Sequence, residues 1–181
     1  MGDALDTTAY SLPDVFDSQA ESIRRAFDPE TGEIRQPTYA YTRPYPDIND
    51  FEACMAYAAK ISAFESKADE RIADVIGETI YLSHVFVHEV RLQDDDEEGG
   101  YKRALRVVLE DEDGRTYEGV TDGILDSLRT LFSLPGIGHP STWKRPIPVK
   151  VTQVATAGGR RVFKLTVDFG ALTAKASKKS K

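Results

Sequence analysis

One cysteine, Cys54, two methionines, one tryptophan and three histidines are spread over 181 residues. A lone cysteine makes no intramolecular disulfide, so the core has to hold the fold and a reducing cytoplasm is the expected setting. No apolar run approaches the ~18 residues that a bilayer span requires. The opening MGDALDTTAY lacks the basic and apolar blocks of a secretory signal, so neither a membrane protein nor an exported one is expected.

Catalytic signatures are missing as well. There is no glycine-rich phosphate loop, Gly136-x-Gly138 being too short, and no nucleophile elbow or Ser-His-Asp arrangement. Cys54 falls in a predicted helix without an evident base. His84 and His88, four apart on a predicted strand, share a face, but with no cysteine or third histidine beside them they read as packed or rim residues. The acidic runs DDDEE (94–98) and EDEDG (110–114) do not keep the alternation of a calcium loop and read as solvated charge. The expectation is a protein without enzymatic activity, metal or cofactor. A carboxylate-metal nuclease is a remote rival, since nothing brings its acids together.

What the chain does have is charge asymmetry. From Ser141 to Lys181 there are ten basic residues and one acid, Asp168, a local charge of +9. The overall charge is −7, so the first 140 residues carry −16. At physiological salt each end is felt only within about 8 Å, so a polyanion can meet the basic end without meeting the acidic one. A basic solubilising tail is the competing reading.

Residues 1–12 are expected to fray, followed by a short helix with Pro13 in its first turn and Val15, Phe16, Ile23 and Phe27 as apolar positions. Pro29, Pro37, Pro44 and Pro46 among Tyr39, Tyr41 and Tyr45 predict an extended arm. Asn49 or Asp50 caps a second helix through FEACMAYAAKISAF, read on through ESKADERIADVIG to Gly77. The period then becomes two. ETIYLSHVFVHEVRL reads as one long strand with Ile80, Leu82, His84, Phe86, His88, Val90 and Leu92 on one side. YKRALRVVL follows the first acidic loop, and Asp113-Gly114 is a hairpin turn before RTYEGV. Thr121 or Asp122 caps an amphipathic helix with Ile124, Leu125, Leu128, Leu131 and Phe132 on one stripe, ended by Pro135-Gly136. The loop GIGHPSTWKRP leads to a closing hairpin, IPVKVTQVAT and RRVFKLTVDF, across Ala157-Gly158-Gly159.

The resulting β-β-β-α-β-β order is the connectivity of a five-stranded OB-fold barrel, in which the helix plugs the bottom between strands 3 and 4. The fold class expected is mainly β. Residues 1–71 form an N-terminal helical and Pro/Tyr-rich extension, 72–170 the barrel, and 171–181 a disordered basic tail without apolar periodicity.

The pattern VIGETIYLSHVFV, then RVVLEDEDGRTYEGVTDGILDSLRTLFSLPG, then PIPVKVTQVATAGGRRVFKLTV resembles the single-stranded DNA-binding proteins of bacteriophages and related mobile elements, over roughly residues 72–169. The resemblance implies an accessory protein of replication or recombination that coats single strands without strong sequence preference, in the host bacterial cytoplasm. The C-terminus departs from the usual bacterial pattern: KASKKSK stands where an acidic, apolar-tipped docking peptide is expected.

Sequence-tolerant binding of single strands needs cations for phosphates and aromatic faces for bases, each stacked base contributing about 1–3 kcal/mol. The candidates are Tyr101, Lys102, Arg103 and Arg106 on the second strand, Tyr117 on the third, Trp143 with Lys144 and Arg145 in the loop, and Lys150, Arg160, Arg161 and Lys164 on the last hairpin. Core or rim packing competes for Tyr101 and Tyr117, because an alternating strand buries one face. The partners expected are single-stranded DNA, replication or recombination proteins, and a second copy of the chain through the N-terminal arm. The alternative function is an OB-fold interaction module that binds no nucleic acid.

Overall fold

The computed structural model describes residues 39–43, 46–93, 100–138 and 140–177. The expected first helix, the start of the arm, the acidic loop 94–98 and Lys178, Lys179 and Lys181 lie outside them.

In chain order the elements are β1 (Tyr39–Tyr41), α1 (Phe51–Ser66), β2 (Glu70–Arg71), a 3-10 turn (Ile72–Val75), β3 (Thr79–Gln93), β4 (Tyr101–Asp111), β5 (Thr116–Gly119), α2 (Asp122–Ser133), a second 3-10 turn (Pro140–Thr142), β6 (Ile147–Ala155), β7 (Arg161–Val167) and α3 (Phe169–Ser177). Six strands run in the order β2-β5-β4-β3-β6-β7, with β1 added to β3, and the sheet curls into a barrel-like half-barrel. The fold is mainly β, as expected. The expected strands are all present, and β1 and β2 join them.

The long strand β3 organises the whole. Its pairing with β4 shifts register between Leu82/Asp111 and His84/Glu110, a bulge at Ser83. One extra residue inverts the side-chain parity of everything downstream. Ile80 and Leu82 enter the barrel core before the bulge, and Val85 and Val87 enter it after. Phe86 turns to the opposite face, against Val108, Ile61, Phe64 and Ala68. The single apolar side expected from Ile80 to Leu92 is thus two half-sides serving two cores. At the bulge Thr42 restores the backbone bonds: its N–H donates to the Val85 carbonyl (3.0 Å), and Val85 N–H donates to its hydroxyl (2.8 Å).

Asp50 caps α1, accepting from Ala53 N–H at 2.9 Å. The helix stops at Ser66 rather than running to Gly77. Asp69 accepts from the Thr116 N–H (2.8 Å) and hydroxyl (2.9 Å), which draws the chain out of the helix to lay β2 parallel to β5. Ile72 and Val75 of the following turn are then buried in the barrel. α1 covers the other face of β3 and β4, where Phe64 stacks on Phe86 with centroids 5.0 Å apart.

The turn EDEDG is solvated charge only in part: Glu112 and Asp113 are exposed, Asp111 is half-buried and Glu110 is buried. Asp111 Oδ1 accepts from the N–H groups of Asp113 and Arg115, both at 2.9 Å, while Gly114 takes the positive φ of 82° that closes the hairpin. Glu110 is buried, paired with Lys60 Nζ at 2.6 Å and accepting from the Tyr41 hydroxyl at 2.9 Å. Its charge is neutralised where the sequence alone shows only a run of acids.

α2 buries Ile124, Leu125, Leu128 and Leu131 and lies against β7. A Cβ on Gly123 would come within 2.4 Å of the Phe163 carbonyl oxygen, so only glycine lets the helix start approach the β7 backbone this closely. The tail also differs from expectation. Residues 171–177 continue the helix begun at Phe169, with Asp168 Oδ1 accepting from Ala171 N–H (2.9 Å) and its Oδ2 accepting from the Thr79 hydroxyl (2.7 Å). A local cap and an alanine-rich stretch supply a helix without the apolar periodicity that long helices show.

Candidate nucleic-acid interface

The residues singled out by sequence fall into three groups. Tyr101, Lys102 and Arg103 open β4, and the register sets them opposite Gln93, Leu92 and Arg91. Two arginines thus occupy one cross-strand position, Arg91 being exposed.

Arg106 and Tyr117 are structural. Arg106 is only 8% exposed. Its Nε donates to Glu118 Oε2 at 2.7 Å, Nη2 donates to the same oxygen, Nη1 donates to the Phe64 carbonyl, and Nη1 lies 3.0 Å from His88 Nε2. Because arginine only donates, the His88 nitrogen accepts and the ring is neutral. Burial first, and then the Arg106 charge, push its pKa down to about 4. His84 is likewise shifted down, chiefly by burial. Tyr117 is 6% exposed, donates to Asp111 Oδ2 at 3.0 Å, and has its hydroxyl pushed up to about 12, first by burial.

The remaining candidates follow the β6–β7 hairpin. Lys150 and Lys164 are exposed, and with Thr152 and Thr166 they share one face: the register pairs Lys150 with Thr166 and Thr152 with Lys164. Arg161 pairs with Ala155 and alternates with Phe163 and Leu165 on the other face, and Arg160 is exposed at the turn. Trp143 sits at the opposite end. It is half-buried, donates from Nε1 to the carbonyls of Ile137 (2.9 Å) and Gly138 (3.1 Å), and meets Phe132 edge-on at 6.1 Å. With exposed Lys144 and Arg145, and with Leu172 of α3, it lines a cavity of about 350 Å³. Strands rise ~3.3 Å per residue, so the two ends of β6 are on the order of 25 Å apart.

A second cavity is about 400 Å³ in volume. It opens where the end of β3 (Val90, Leu92), the first 3-10 turn (Arg71, Ile72, Ala73), the exit of β5 (Glu118–Thr121), Ile124 and Phe163 converge, with Arg106 also on its wall. This is the seam of the curled sheet, with β2 and β5 on one side and β7 on the other. Sequence reading missed Arg71 and Phe163 here, and exposed Arg91 on β3. Arg91, a cation at the end of a strand beside another cation-rich strand, was the available signal; Phe163 was disguised by its place in an apolar alternation.

Among the described residues no cluster of three or more His, Cys, Asp or Glu is arranged to hold a metal, and no helix is long and apolar enough to cross a membrane. The architecture defines a small barrel-like β protein with a cation-lined seam and hairpin. The family model described as Phage Single-stranded DNA-binding protein matches residues 54–168, more than half of the chain, from α1 to the end of the last strand. This protein belongs to the phage single-stranded DNA-binding protein family. Comparison with curated proteins and with solved structures finds no match.

Proposed function

We propose that this protein coats single-stranded DNA without strong sequence preference, in the bacterial cytoplasm, during replication or recombination of a phage or related mobile element. The reading takes β3-β4-β5-α2-β6-β7 as an OB-fold, whose connectivity it shares, and rests above all on the family match over the strands β2 to β7. Exposed Arg91, Arg160 and Arg161 capture phosphates, and exposed Lys150 and Lys164, on the other face of the hairpin, add to the attracting field. Phe163 and Trp143 offer ring faces for bases. Lys102 and Arg103, at the start of β4, add two cations to the reading and Tyr101 an aromatic ring. Anisotropy of a labelled oligothymidylate and of a duplex of equal length, each over a salt series, tests it. Tight, salt-sensitive binding of the single strand and weaker binding of the duplex are expected; equal affinity for both, or none for either, refutes the proposal.

The arm strand Tyr39–Tyr41 pairs with β3 of its own chain, so self-association is better assigned to the stretch that follows it. Ile48, Phe51 and Met55 are 88%, 74% and 55% exposed around the start of α1, apolar side chains that a second copy would cover. Met55→Glu should then convert a dimer to a monomer in sedimentation, with DNA binding retained.

A further inference from the structure

We infer that the seam cavity is a subsite for one nucleobase of the bound strand, an inference that rests on the proposed single-strand binding. Its walls sort by polarity in the way a nucleotide does. Val90, Leu92 and Phe163 supply apolar surface, and Arg106 and Glu118, joined to each other, present a neutral pair. Arg71, exposed at the cavity, is the cation left for a phosphate. A phosphate would find no uncompensated charge inside, while a base would find an aromatic ring and aliphatic walls. At about 400 Å³ the space is large enough for a base with its sugar.

Position argues for the same occupant. Phe163 shares a strand face with Arg161, and Arg71 of β2 lines the cavity from the other side of the seam. A backbone running from Arg161 to Arg71 crosses the cavity. A peptide partner has no comparable reason to lie between two arginine groups. The polar groups that hold the walls are internally satisfied, so a base enters without breaking them.

Ala73 makes the test clean, because it lines the cavity yet is exposed on its 3-10 turn. Ala73→Leu fills the space without touching the core. The probe is the shortest oligothymidylate that saturates the wild-type protein, intact and with a single abasic site moved along it. Wild type should lose about tenfold in affinity when one particular base is removed. Ala73→Leu should lose about tenfold on the intact strand, lose nothing more from that abasic site, and keep the wild-type salt slope and thermal midpoint. Phe163→Leu, which keeps an apolar side chain but removes the ring face, should lower affinity for the intact strand similarly. Wild-type affinity in Ala73→Leu, or an abasic penalty that persists there, overturns the subsite while leaving single-strand binding intact. Failure of the wild type to bind the oligomer overturns both.

Discussion

Arg106 and His88 stand directly opposite each other on β4 and β3, with Nη1 3.0 Å from Nε2. The neutral imidazole is an acceptor that the guanidinium needs, and protonation would set two cations against each other beneath α1. The folded-state pKa of His88, about 4, lies below the ~6.5 of an unfolded histidine. The unfolded chain therefore binds the proton first as pH falls. Stability from this group is complete above pH 6.5 and is lost as pH drops through 4, a total of roughly 3 kcal/mol. His84 titrates in the same direction, whereas Asp69 and Asp168, whose pKa values are lowered below the usual carboxylate range, act at lower pH. Thermal midpoints measured from pH 7 to pH 4 should fall steeply in the wild type. In His88→Gln, which keeps an acceptor but cannot titrate, the decline should be shallower; equal slopes would show that His88 is not the group responsible.

Removing the arginine is a different perturbation. Arg106→Ala leaves Glu118, His88 and the Phe64 carbonyl without their donor. Loss of one partner from a buried ion pair costs about 3 kcal/mol, less here because the Glu118 side chain is a quarter exposed. The expected result in urea unfolding is a lower midpoint at unchanged m-value. The salt slope of DNA binding by the folded variant should match the wild type, since a guanidinium already engaged by carboxylate, carbonyl and imidazole releases no counterion.

Gly123→Ala probes the contact between α2 and β7. Its Cβ would sit 2.4 Å from the Phe163 carbonyl oxygen, which is backbone and yields only if helix or strand moves. Overpacking of this kind costs about 1–3 kcal/mol, more than the ~1 kcal/mol that alanine gains over glycine in a helix. The variant should unfold at a lower temperature. A midpoint at or above wild type would mean that the helix start is free to shift.

Much of the scaffold was legible because its signals are local. The caps at Asp50 and Thr121, the turn at Gly114 and the extents of β3, β6 and β7 follow from residues within a few positions of each element. The bulge at Ser83 was not legible, because β3 is buried on both faces past Leu82 and alternation carries no parity there. The roles of Arg106 and Glu110 were hidden for a related reason: their partners, Glu118, Phe64, Lys60 and Tyr41, are brought in by β5, α1 and β1. Of the candidate site, the exposed cations of the last hairpin could be read from charge alone. Their relation to Arg71, Arg91 and Phe163 is tertiary, set by the curl of the sheet, and no spacing in the chain announces it.

The two faces of the β6–β7 hairpin separate two paths for the strand. Arg161 alternates with Phe163 on the seam side, with Arg160 beside it at the turn, whereas Lys150 and Lys164 stand on the opposite face. A single strand that crosses the seam neutralises the arginines and passes the lysines at a distance. Each phosphate contact contributes about 0.7 to the slope of log affinity against log salt for single strands. Arg160→Ala with Arg161→Ala should therefore flatten the slope by about 1.4 and weaken binding alike for different base compositions. Lys150→Ala with Lys164→Ala should change the slope by less than half as much. All four side chains are exposed, so neither double variant should shift the thermal midpoint by more than about 2 °C. The reverse order of slopes would place the strand on the outer face of the hairpin and remove the seam from its path.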